Sequence, residues 1–304
     1  VQTSSAVDLK RKKKMISTDS LMPKVLLIFA VISVLTTVGI VAILIFESLG
    51  FFREIPFIDF ITGTTWLPLF EPAQFGVVPL IVGSLMITAI ASVIAVPIGL
   101  GSAIYLSEYA PSKVRDVVKP VLEILAGIPT IVYGFFALTF VTPIIKYIFP
   151  QTEVFNALSA GIVVGIMIIP LISSLSEDAM AAVPTALRNA AYALGSTKLE
   201  VALKIVVPAA LSGIVSSFVL GLSRAVGETM IVTLAAGARP NMSFNPLESV
   251  QTLTAYIVSV SSGDTRHGSV EYLTIYAVGI TLFVMTLLMN VLAGYISRKF
   301  REEY

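Results

Sequence analysis

The chain has 304 residues, of which 56% are hydrophobic and 13% charged, and its formal net charge is +1. Soluble domains average roughly 45–50% apolar and about 25% charged residues, so a soluble globule of this size could not hide so much apolar surface. The same numbers exclude a disordered tail and a nucleic-acid binder, which needs a basic surface for phosphate backbones, and the lack of cysteine removes thiolate metal sites, disulfides and a catalytic thiol.

An integral membrane protein remains, and its crossings follow in chain order. A basic cytoplasmic segment, 1–24, holds Lys10, Arg11, Lys12, Lys13, Lys14 and Lys24 and reads as a topology anchor with lipid headgroups as bonus contacts. The uncharged run Val25–Phe46 follows it. At about 20 residues or more it is long enough to cross as a helix, and no small-residue cleavage pattern marks it as a secretory leader. Further spans are expected at Val78–Ala103, Ile124–Ile145, within Val154–Ser176, at Ala209–Ala236 and at Leu273–Ser297. Runs this long are unlike the short alternating segments of a spanning barrel. With the N-terminus inside, fifteen of the 20 Lys and Arg fall on cytoplasmic segments and only Arg53, Lys146, Arg239 and Arg266 on outer loops. The bias predicts an all-α membrane protein of six transmembrane helices with both termini cytoplasmic, its transmembrane domain covering 25–300 and a short tail, 301–304, remaining inside.

The inside loop 177–208 is rich in Ala, Leu and Lys, and its apolar residues recur at helical spacing: Ala191 and Leu194, then Leu199, Ala202, Leu203 and Val206. It reads as two short helices parted by Gly195, which permits the sharp turn between them, and its apolar face requires a surface to bury it. Span five is unusual in carrying Arg224 and Glu228. A charge at the centre of a spanning helix costs about 2.5–3.5 kcal/mol on insertion scales, and such groups are kept where they pair or face water. In a continuous helix the two share one face, four residues apart, so they are either a self-neutralising ion pair or an oxyanion site. Arg offers a planar fork of donors for phosphate oxygens. An ionised Glu accepts a hydrogen bond from a P–OH group, which sulfate lacks at neutral pH.

These residues carry a resemblance. Asn189, Ala190, Ala191, Gly195, Ile205, Val206, Val207 and Pro208 resemble the cytoplasmic E-A-A, three residues, G, nine residues, I-x-L-P signature of ABC importer permeases, with Asn189 and Val207 departing from it. Arg224-Ala225-Val226-Gly227-Glu228-Thr229 resembles the R-A-x-G-E-T stretch of phosphate importers. Phe60–Trp66, Leu106–Pro111 and Leu125–Gly134 extend the likeness to the C-type permease of high-affinity phosphate importers over 25–300; the A-type permease shares the pore motif. The resemblance implies a type I importer permease, with five core helices plus an N-terminal helix, in a prokaryotic cytoplasmic membrane. It assigns Arg224, Glu228 and Thr229 to the substrate pathway, and Asn189, Ala190, Ala191, Gly195, Ile205 and Pro208 to ATPase coupling. The partners it implies are an A-type second permease, two copies of an ATPase subunit and an extracytoplasmic phosphate-binding protein. No cofactor is expected in this chain: a P-loop needs Gly-Lys before Ser or Thr, that dipeptide is absent, and ATP with Mg belongs to the partner ATPase. Rival readings are a permease for molybdate or sulfate, an ion-coupled secondary carrier and a membrane phosphate sensor.

Four smaller features complete the sequence. Gly127 and Pro129 are expected to bend or break span three. Gly99 and Gly101 permit close helix contact, Glu123 is a solvated charge at the span's mouth, and His267 has no evident metal-binding partners.

Overall fold

The computed structural model describes residues 12–263 and 265–299. Lys10, Arg11 and the tail 301–304 lie outside the described residues. Helix α1 (Lys12–Glu54) unites the end of the basic segment with the first span, Pro23 included. Its 43 residues extend about 65 Å, twice the hydrocarbon thickness, so its basic end projects beyond the apolar layer. The chain then forms α2 (Phe57–Thr62), a two-stranded antiparallel hairpin of β1 (Trp66–Leu67) and β2 (Gln74–Phe75), and the second span α3 (Val78–Ile104). A π-helical turn over Tyr105–Tyr109 ends that span.

The third span departs from expectation. Ser112–Ala126 is a separate helix, α4, with no buried residue, and the crossing starts only after Gly127-Ile128-Pro129, as α5 (Thr130–Phe136), a π turn at Ala137–Val141 and α6 (Thr142–Ile148). A mixed sequence such as Ser112-Lys-Val-Arg-Asp-Val-Val-Lys favours a surface helix, and Pro129 cannot continue one. Glu123 on α4 is exposed, as expected. The fourth span, α7 (Ala157–Ala181), is the most buried of the crossings.

The next segment holds α8 (Thr185–Ala193), α9 (Lys198–Val201), a π turn at Ala202–Val206, α10 (Val207–Ala209) and α11 (Leu211–Val226), with a bend of 73° at Ala210. The fifth span is therefore shorter than Ala209–Ala236: α11 stops at Val226, and α12 (Met230–Ala235) begins after a break. An outer loop leads to α13 (Leu253–Ser261), and α14 (Val270–Lys299) is the sixth span. Among the described residues five helices are long and apolar enough to cross, or six when the bent pair Lys198–Ala209 and Leu211–Val226 counts as one span.

Lipid tails are as apolar as Leu, so contact between spans depends on close packing. Ile172 of α7 shows how it is achieved: it is fully buried, and a Cβ added at Gly99 of α3 or Gly221 of α11 would stand 2.7 or 2.8 Å from its side chain. Two glycines thus form the slot for one branched side chain and draw three helices together. Gly101, expected to act similarly, faces open space. On the outer side, Phe51, Phe60, Trp66 and Tyr256 form a buried cluster, with the Trp66 and Tyr256 rings edge-on at 4.9 Å.

Candidate functional site

Two regions carry the chemistry that the sequence singled out. The first is the break in the fifth span. Arg224 lies in the last turn of α11, about 20 Å of helix rise from Leu211. A cation there complements the negative end of the helix dipole. Its side chain is exposed and makes no ion pair among the described residues. It lies within electrostatic reach of Tyr133 on α5, whose hydroxyl donates to the Leu125 carbonyl at 2.9 Å. On the same helix Gly134 lets α5 pack closely on α12: a Cβ at this position would stand 2.8 Å from Leu234 Cδ1.

Glu228 does not share a helix face with Arg224, because α11 ends two residues before it. The self-neutralising pair is therefore not formed. Glu228 is 8% exposed, and its Oε1 accepts the N–H groups of Met230 at 3.0 Å and Ile231 at 3.3 Å. It closes the start of α12, where backbone donors have no partner inside the helix. Its Oε2 has no hydrogen bond among the described residues and is left to accept from another group. The Glu228 carbonyl receives the hydroxyl of buried Thr254 at 2.7 Å, which ties the break to α13. Thr229 turns its hydroxyl back to the Gly227 carbonyl at 3.2 Å.

The second region is the cytoplasmic helix pair. Gly195 has φ +84°, a conformation that costs other L-residues roughly 1–2 kcal/mol. The Ser196 N–H reaches the Ala191 carbonyl at 3.1 Å and the Gly195 N–H the Tyr192 carbonyl at 3.0 Å, the paired bonds of a Schellman ending. Thr197 and Glu200 then form a capping box that starts α9. The loop is shorter than 177–208 at its start, since Glu177 and Asp178 belong to α7.

The expected apolar face is divided in two. Ala191, Val201 and Val206 are buried with Met180, Val183 and Ile214, whereas Leu194 is 88% exposed and Tyr192, Leu199 and Leu203 are exposed beside it. Asn189, Ala190 and Pro208 are also on the surface, and Ile205 is half-buried. The sequence reading missed the anchor of this pair. Arg188 donates to Glu108 at the end of span two at 3.0 Å, and to the Met180 and Val183 carbonyls at 2.8 and 2.6 Å. A second clamp lies beside it, where Arg115 and Lys119 of α4 hold Glu177, which is 1% exposed. The Lys119 ammonium is held above its ordinary range, first by its hydrogen bond to Asp178 and then by that to Glu177. Only the charges of these residues were legible; no local spacing relates position 108 to 188.

No group of three or more potential metal ligands occurs among the described residues, and the His267 ring rests against Tyr272 at 4.5 Å.

Comparison with known proteins places this geometry in context. Residues 95–302 match the model of the family described as binding-protein-dependent transport system inner membrane component. The chain is similar to the probable ABC transporter permease protein YqgH of Bacillus subtilis, with 39% identity over 80% of this chain and 78% of that protein. It is similar to the phosphate transport system permease protein PstC 1 of Mycobacterium tuberculosis, at 35% identity over 89% of this chain and 90% of the relative. The corresponding PstC of Haemophilus influenzae is 33% identical over 90% and 92%. Among solved structures, a bacterial ABC transporter for import of the acidic polysaccharide alginate superposes with a TM-score of 0.66 at 17% identity, over 96% of this chain and 100% of that one. That likeness concerns the fold.

Proposed function

Because the chain belongs to the family of binding-protein-dependent transport system inner membrane components, we propose that it is the transmembrane subunit passing inorganic phosphate through an ATP-driven importer. It is a multi-pass permease of the inner membrane and not an enzyme; hydrolysis of ATP with Mg is the work of a separate ATPase subunit. The coverage of phosphate permeases over nearly their whole length supports the substrate. The observation that carries the reading is Arg224, an exposed guanidinium with no ion-pair partner among the described residues, at the broken end of a membrane-spanning helix.

A guanidinium spans two phosphate oxygens with parallel donors. The free Glu228 Oε2 supplies the acceptor that a protonated phosphate can use, and Thr229 follows it directly in the chain. The site must also release its ion, so a single exposed cation suits passage better than a closed cage of donors.

The remaining assembly follows from the same reading. A second, A-type permease completes the path, and an extracytoplasmic phosphate-binding protein delivers to the outer loops. Two ATPase subunits dock beneath, one of them on Asn189, Ala190, Ala191, Gly195, Ile205, Pro208 and the exposed Tyr192, Leu194 and Leu199. Lipid covers the exposed apolar face of α1, and no nucleic acid takes part.

The test is ATP-dependent phosphate uptake in vesicles holding the assembled importer, with native Arg224 against Arg224→Gln. Uptake is expected to fall to background while assembly and ATP binding persist. Unchanged uptake would overturn the assignment. Glu228→Gln keeps an oxygen to cap α12, so it should assemble normally yet lose preference for phosphate over sulfate. Retained preference would remove Glu228 from the selectivity argument.

A further inference from the structure

The described residues offer several unused features: an apolar groove near the outer end of α1, a buried Trp66 indole N–H without a partner, and a groove between α11 and α14 whose apolar lining carries three polar side chains. The last is carried furthest by the observations. Ser216, Val219, Leu220, Asn290, Ala293, Gly294 and Ser297 line a groove of about 330 Å³. Ser223 donates to Asn290 Oδ1 at 2.8 Å, and Ser216 and Ser297 share a hydrogen bond at 3.1 Å. Asn290 is exposed, and its amide nitrogen has no acceptor among the described residues. It sits in a span whose other exposed side chains nearby are Leu287, Leu288, Val291 and Leu292.

The Ser216 and Ser297 hydroxyls are also bonded to the Ser212 carbonyl, at 2.8 and 3.1 Å, but the Asn290 amide N–H does not face hydrocarbon without cost, since an unpaired amide in an apolar medium costs several kcal/mol. The groove thus faces water or a partner able to bond with it. Its position decides between these. On α11, Ser216, Leu220 and Arg224 follow one another at four-residue intervals and share one face, so the groove continues directly to the exposed guanidinium. From Ser216 to Ser223 is about 10 Å of helix rise, and Ser216 and Ser297 mark its cytoplasmic end, since Ser297 lies near the inner terminus of α14.

We propose that this groove is the inner wall of the anion path, with the Asn290 amide donating to the oxyanion after it leaves Arg224 and the serines keeping the exit hydrated. The proposal rests on the phosphate-path reading of Arg224. Amide and hydroxyl groups bond an oxyanion without adding charge, so they hand it towards the cytoplasm and do not trap it. A neutral donor following a charged one gives the stepwise weakening that passage requires.

The chain has no cysteine, so single-cysteine variants report the groove directly. In inside-out vesicles holding the full importer, Ser216→Cys, Asn290→Cys and Leu292→Cys are treated with an anionic methanethiosulfonate. Leu292 lies about 200° around α14 from Asn290 and serves as the apolar control. Thiols at 216 and 290 are expected to react at least about tenfold faster than at 292, because a thiolate forms in water and not in hydrocarbon. Inorganic phosphate should slow the reaction at 290. Equal, slow reaction at all three positions overturns the proposal and points to a helix of the second permease filling the groove. Fast labelling that phosphate fails to slow also overturns it, as a wet crevice off the path. Slowing by sulfate or molybdate in place of phosphate leaves the groove as an anion path and overturns the choice of substrate.

Discussion

The Arg188–Glu108 pair ties the cytoplasmic helix pair to the end of span two. Arg188 is 16% exposed and Glu108 4%. Arg188→Met keeps the length of the side chain but leaves the Glu108 carboxylate with only the Ser107 hydroxyl at 3.1 Å and strips two carbonyls of their donors. Removing one partner of a buried ion pair costs about 3–5 kcal/mol; with Arg188 partly wet, the lower end applies. Pairing the change with Glu108→Gln removes the stranded charge. The double variant should then lose only about 1–2 kcal/mol from the orphaned carbonyls. The coupling is the two single losses less the double loss, so even a Glu108→Gln change that costs nothing alone leaves it at about 1–2 kcal/mol, inside the range for residues in direct contact. The assay is a double-mutant cycle on unfolding of the purified importer in detergent titrated with dodecyl sulfate. Single losses that sum to the double loss within about 0.5 kcal/mol would refute the reasoning, since the two side chains would then act independently.

Three further changes test other parts of the argument. Gly221→Ala drives a Cβ into Ile172 and should destabilise by about 1–3 kcal/mol; adding Ile172→Ala should restore part of the loss, and a purely additive result in the same unfolding assay would contradict the slot. Gly195→Ala meets no atom within 4 Å, so its cost of about 1–2 kcal/mol comes only from backbone strain; affinity for the ATPase subunit should fall, and Gly195→Asn, which tolerates this conformation, should recover most of it. The Lys119 clamp gives a pH signature. Its folded pKa is raised above 10.5, so its stabilisation is complete below 10.5 and is lost as pH rises through the higher folded value. The difference in melting temperature between native protein and Lys119→Met should be constant near neutrality and shrink at strongly alkaline pH; a difference that grows there would contradict the sign.

The crossings were legible because uncharged runs of spanning length have few alternatives, and the helix pair because Gly195 punctuates an apolar rhythm on both sides. The break at Gly127 and Pro129 was legible from those two residues; the start of span three at Ile124 was not, since Ile124–Ala126 belongs to α4. The break after Val226 was missed, because hydropathy averages over an interruption that the hydrogen bonds of Glu228 reveal. At Gly227 the helix ends because Glu228 turns to cap α12, and a carboxylate four residues after an arginine is equally consistent with a paired helix face until that turn is seen. At Pro129 the missing N–H ends α4 and frees it to lie outside the span, where its charges clamp Glu177. The partition of the coupling face was illegible as well: Ala191 and Leu194 have the same helical phase, but Ala191 is covered by Val201 and Val206 beyond the turn, whereas Leu194 is not.

These breaks fall where transport needs rigid segments joined by defined bends. The exposed Leu194 and Leu199 belong to a helix pair whose buried side packs on Met180 of α7 and Ile214 of α11. Arg188 fastens the pair to Glu108, and the 73° bend at Ala210 passes directly into α11, which ends at Arg224. If a subunit docks on α9 and α10 as proposed, a displacement there would pass the bend at Ala210 and reach the guanidinium through one continuous helix of 16 residues. With α7 held to α4 by the clamp at Glu177, a movement of α11 against α7 would have to give up the Ile172 slot at Gly221. Coupling of this kind needs two discrete packings and not continuous deformation. Gly221→Ala thus carries a second consequence: by filling the slot it lowers the cost of leaving this packing. ATP hydrolysis uncoupled from phosphate uptake should rise in that variant, and hydrolysis that stays fully dependent on the binding protein would exclude α11 as the moving element.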